Sequence, residues 1–105
     1  MKYAVEFSPE ADEDLTRLLD FLLERELASS TTDVSVVDRA LKAITDGVAF
    51  LEFSPFSCRK SKDDPLVREL VIPFGASGYV ALFKIASGER VIIGAVRHQR
   101  EDDYH

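Results

Sequence analysis

The chain has 105 residues, 46% of them hydrophobic and 10% aromatic, which fits one globular domain over residues 1–105 and not a disordered segment. A net charge of −6 opposes the broad positive field that non-specific nucleic-acid binding needs. No apolar run reaches the length of a membrane span, the N-terminus lacks a signal-peptide pattern, and the single cysteine, Cys58, excludes an internal disulfide and has no partners at metal-ligand spacing. A cytosolic protein with no metal, no cofactor and no membrane partner is expected.

In chain order, Lys2–Phe7 alternates Tyr3, Val5 and Phe7 against Lys2, Ala4 and Glu6, the period of a half-buried strand. Ser8-Pro9 then opens a helix: the hydroxyl can accept an orphan N–H, and proline at the first helical position has no N–H to lose. Glu10, Asp12, Glu13 and Asp14 suit the positive end of its dipole. Ala11, Leu15, Leu18, Leu19, Leu22 and Leu23 form its apolar stripe, which runs to about Leu27. The polar stretch from Ala28 to Ser35 reads as a connection. Ser35 with Asp38 has capping-box spacing, so a second helix starts there or slightly earlier at Asp33. Its stripe is Val37, Leu41, Ile44, Val48 and Leu51, and it ends before Pro55. Gly47 weakens this helix and is expected to let the two helices pack closely.

Pro55 to Pro65 reads as a polar loop. Strand signals follow at Leu66–Ile72, Tyr79–Ala86 and Arg90–His98, separated by short glycine-containing reversals that imply antiparallel neighbours. The order β-α-α-β-β-β predicts an α+β fold, two N-terminal helices packed on a mainly antiparallel four-stranded sheet. Charge is uneven. Residues 1–57 carry 5 basic and 12 acidic side chains, a balance of −7, and residues 58–105 carry 8 and 7, a balance of +1.

With that order, "FSPEADEDL", "LEFSPFSCR", "LVREL", "IPFGASGYVALF" and "GAVRHQREDDY" resemble the RelE/ParE superfamily of type II toxin–antitoxin toxins over almost the whole chain. "RELVIPFGASGYVALF" and "VRHQREDDY" are most similar to its ParE, or plasmid-stabilisation, branch. The resemblance implies a toxin that disables DNA gyrase by binding and is neutralised by a ParD-like antitoxin. Operator binding would then come from the antitoxin, with no direct nucleic-acid binding by the toxin alone. The alternatives it leaves are a RelE-type ribonuclease that cuts mRNA on the ribosome, and a non-toxic antitoxin-binding module.

RNA cleavage through the 2′-hydroxyl needs a base, an acid and positive charge at the phosphate. Carried over from RelE-type enzymes, the second-strand cation is kept as Arg68, and Tyr104 lies near their C-terminal tyrosine. Three further cationic positions hold Leu70, Val80 and Gln99. Arg68, His98 and Tyr104 are therefore the candidate catalysts only under the ribonuclease alternative. A set of Arg68, Glu69 and His98 would need adjacent strand residues to share a face, which the pleat opposes. Under the ParE reading, Arg68, Arg97, His98, Arg100 and Tyr104 form the target-binding set, with Arg68 near the other four. Phe21, Phe50 and Phe53 are the expected antitoxin contacts, edges of a groove that takes an amphipathic helix.

Overall fold

The computed structural model describes residues 2–30, 33–61 and 64–100. Strand β1 (Ala4–Phe7) leads into helix α1 (Pro9–Leu27) and helix α2 (Ser35–Leu51). A 3₁₀ turn (Pro55–Ser57) follows, then β2 (Arg59–Ser61), β3 (Asp64–Phe74), β4 (Ser77–Ile85) and β5 (Arg90–His98). The sheet order is β1-β5-β4-β3-β2, with β1 parallel to β5 and the other pairs antiparallel. The α+β class and helix pair match expectation. The sheet has five strands and not four, because part of the expected polar loop is β2. Three polar residues carry no period-two signal; pairing with β3 holds them, Arg59 opposite Glu69 and Lys60 opposite Arg68.

The β3–β4 hairpin is also longer than the sequence implied. Phe74 pairs with Ser77, so only Gly75 and Ala76 make the turn, with Gly75 at φ 60°. The strand signal ends at Ile72, and the observed strand runs on through Pro73 to Phe74. The proline is tolerated because β2 pairs only as far as Glu69, which leaves β3 an edge strand at Pro73.

Each helix start has a side-chain cause. Ser8 Oγ accepts the Ala11 N–H at 3.1 Å, and Pro9 is the first residue of α1. At α2 the cap residue is Val34, which has no side chain to offer, and Asp33 does the work. Its carboxylate accepts both the N–H and the hydroxyl of Ser35, and Arg39 bonds Asp33 and Ser35. The Ser35/Asp38 spacing is not used as a capping box, because Ser35 is already helical.

Alternate residues of β3 face the helices. A Cβ at Gly47 would lie 3.0 Å from Ile72 Cγ1 and 3.4 Å from Leu70 Cδ2. Gly47 therefore lets α2 approach β3, not α1 as expected; it lies one turn beyond the buried Ile44 on the sheet-facing stripe. Leu18, Ile44, Leu51, Ile72, Tyr79, Phe83, Ile93 and Val96 fill the layer between helices and sheet. Each such side chain contributes about 1.5–3 kcal/mol by leaving water. Among the described residues, no helix lies on the opposite face of the sheet.

Candidate functional site

β5 bends before it ends. Leu82 pairs with Ala95 but Phe83 pairs with Ile93, so Gly94 is an extra residue, a bulge. β1 stops at Phe7, opposite Ile93, and beyond it β5 would present a bare edge. The start of α1 covers that edge instead. Ser8 N–H donates to Ile93 O at 2.8 Å, Ser8 Oγ donates to Gly94 O at 3.3 Å, and Asp14 Oδ2 accepts the Val96 N–H at 3.0 Å. Asp14 is 5% exposed, with Arg17 4.0 Å from its other oxygen. Sequence reasoning treated Asp14 as one more dipole acid. The missed signal was its place between Ala11 and Leu18 on the apolar stripe, where a carboxylate needs a partner.

The two residues that close β5 point to opposite faces. His98 lies on the helix side, paired with Tyr79, whose ring meets it edge-on at 5.9 Å between centroids. Its Nε2 is 3.0 Å from Ser77 Oγ, and its Nδ1 accepts the Arg100 N–H at 3.2 Å. An accepting Nδ1 is unprotonated, so we assign the neutral ring the Nε2–H tautomer, with Ser77 Oγ as the acceptor. Burial pushes the Tyr79 phenol above its ordinary range. Arg97 lies on the open face opposite Val80 and reaches across β4, its Nη2 3.9 Å from Glu69 Oε2. Glu69 Oε1 accepts from Arg59 Nε at 3.1 Å, so one carboxylate on β3 faces guanidinium groups from β2 and β5. Arg97 Nη1 is also 3.3 Å from the carbonyls of His98 and Gln99. Arg100 is exposed. Tyr104 lies outside the described residues, as do Glu101, Asp102 and Asp103.

Arg68 is not part of this group. The row containing His98 runs through Tyr79 to Ile72, whereas Arg68 lies in a row with Phe83 and Ile93. Four residues of β3 separate the rows, about 13 Å at the rise of a strand. Arg68 is 9% exposed and turned toward the preceding loop. Nε donates to Pro65 O, and Nη1 donates to Phe56 O and Cys58 O, each at 2.9 Å, with the guanidinium carbon 5.2 Å from the Phe56 ring centroid. Carbonyls neutralise the cost of burying this cation. Glu69, its neighbour, faces the other side of the sheet, as the pleat requires. Burial pushes the Cys58 thiol up, and the Arg68 charge offsets this in part.

The three aromatic candidates are on the surface: Phe21 is 63% exposed, Phe50 45% and Phe53 65%. Phe50 and Phe53 sit one turn apart, and the exposed Phe56, which sequence reasoning passed over, continues the spacing of three. Phe21 is on the other helix, α1. Among the described residues no group of three potential ligands is placed to hold a metal, and no helix is long and apolar enough to cross a membrane.

Residues 5–103 match the family model described as the ParE toxin of the type II toxin–antitoxin system parDE. The chain belongs to the ParE toxin family. Toxin RelE3 of Caulobacter vibrioides is 35% identical over 99 residues, which cover 93% of this chain and 96% of that protein. In fold, the chain is similar to a solved structure of the chromosomal ParDE system from P. aeruginosa, with a TM-score of 0.69 at 16% identity, covering 92% of this chain and 96% of the other.

In this ParE-family chain, the positions that the RelE comparison marked as lost cations have structural work. Leu70 packs toward Gly47, and Val80 is buried beside Arg97. The Gln99 N–H donates to Gly78 O at 2.8 Å and so extends the β4–β5 ladder.

Proposed function

We propose that this toxin acts as a ParE-type inhibitor, binding DNA gyrase without catalysis, and that a ParD-like antitoxin neutralises it. One observation carries the reading: the charged groups that RNA cleavage would use are dispersed and engaged. Arg68 donates to three backbone carbonyls. The Arg97 charge faces Glu69. His98 has Nδ1 occupied by a backbone N–H and its Nε2 proton directed at Ser77, so no lone pair is available to a general base. What the end of β5 does offer is a mixed-charge surface made of Arg97, Arg100 and the Glu69 carboxylate. The exposed Phe50, Phe53 and Phe56 supply apolar anchors for an amphipathic antitoxin segment, with Phe21 a separate contact.

The name of the 35% identical relative keeps a second reading in view, the RelE-type ribonuclease. Antitoxin-free protein added to gyrase and supercoiled plasmid, beside a parallel reaction with programmed ribosomes and mRNA, separates the two. Gyrase inhibition with intact mRNA is the expected result. Cut mRNA with normal gyrase would transfer the proposal to the ribonuclease, and neither effect would leave an antitoxin-binding module.

A further inference from the structure

A recognition surface at a strand end has a physical difficulty. Past Gln99 the ladder bonds run out, and an exposed arginine there has many directions open to it. Three contacts restrict that freedom. Gln99 N–H bonds Gly78 O, Arg97 Nη1 is placed against the carbonyls of His98 and Gln99, and the Arg100 N–H is taken by the His98 ring. The last has the form of an Asx-turn, a side-chain acceptor for the N–H two residues ahead, here supplied by an imidazole. The ring itself is fixed at both ends: Nε2 to Ser77 at the start of β4, and its edge-to-face contact to Tyr79, which in turn stacks on Phe74 at 6.1 Å.

We infer that His98 is the positioning residue of the recognition end: its two-sided ring sets the direction in which the chain leaves the sheet at Arg100, and it does so without touching the target. This rests on reading the end of β5 as the target-binding surface. It gives His98 a role as geometry, not as an acid, a base or a charge. Asparagine is the discriminating replacement, because its carboxamide oxygen can take the same N–H in an Asx-turn. Alanine has no acceptor, and glutamine carries its oxygen one methylene too far.

The test uses isotope-labelled full-length protein with His98→Ala, His98→Asn and His98→Gln, reading ring nitrogen shifts, exchange of the Arg100 amide, and gyrase inhibition. The native ring is expected in the Nε2–H tautomer. Alanine and glutamine are expected to speed Arg100 exchange and weaken inhibition, each by about tenfold, the worth of one such hydrogen bond. Asparagine is expected to rescue both. An Nδ1–H tautomer, or equal Arg100 exchange in native and alanine proteins, would overturn the inference. So would an asparagine variant that protects the amide yet fails on gyrase, since the ring would then be touching the target. A native protein inert toward gyrase sinks the functional reading alone, because the nitrogen shifts and amide exchange still decide the role of His98.

Discussion

Asp14 and Arg68 are the buried charged side chains among the described residues, and both satisfy backbone groups, those of Arg68 lying only 3–12 residues away. Asp14 holds the N–H of Val96, 82 residues away. Asp14→Ala leaves that N–H buried without its acceptor and should cost about 1–3 kcal/mol of stability. Asp14→Asn keeps an oxygen there and should lose less. Urea unfolding of the three proteins measures this, and an alanine variant as stable as the native chain would remove the bond from the account. The two buried charges were unequally legible in the sequence. Asp14 interrupts an apolar stripe and Arg68 an apolar strand, so each announces that a partner exists. Neither pattern says which partner. For Arg68 it is carbonyls in and just after a 3₁₀ turn that has no periodicity, and for Asp14 a strand edge exposed because β1, with four residues, is five shorter than the nine-residue β5.

At the scale of elements, periodic ones were read and paired ones were not. The helices and the long strands follow from stripes and alternation. β2 exists only through its neighbour, and the hairpin tip depends on where β3 becomes an edge, which is a property of the sheet. The start of α2 is a local matter with a pH consequence. The hydrogen bond from Ser35, aided by Arg39, holds the exposed Asp33 carboxyl below its ordinary range. A depressed folded-state pKa means that the stabilisation is present above the unfolded value and is lost as pH falls through the folded one. Acidifying from about pH 6 to about pH 3, across the usual carboxylate range, should therefore loosen the first turn of α2. Amide exchange at Ser35, corrected for its intrinsic pH dependence, should show the opening in the native chain, and Asp33→Ala should be open throughout. An unchanged Ser35 amide at low pH would assign the cap to something else.

Across the whole molecule, β5 is the strand on which both halves meet. It lies between β1 and β4, supplies Val91, Ile93 and Val96 to the core, and takes the bonds of Ser8 and Asp14. A chain stopped after Ser87 loses all of these together and leaves β1 without a partner. It should show no cooperative thermal transition, and a sharp one by calorimetry would mean that the helices and the β2–β4 meander fold alone. Since β1 and β5 are about 85 residues apart, their pairing is the costliest loop to close and forms late. That order of events reaches into genetics. Any stop codon or frameshift before Arg90 should yield a chain with no folded state, so truncations across most of the gene are expected to be full nulls. If the end of β5 is the target-binding surface, as proposed, alleles that keep antitoxin binding while losing the target are expected as single missense changes in the few codons from Arg97 onward.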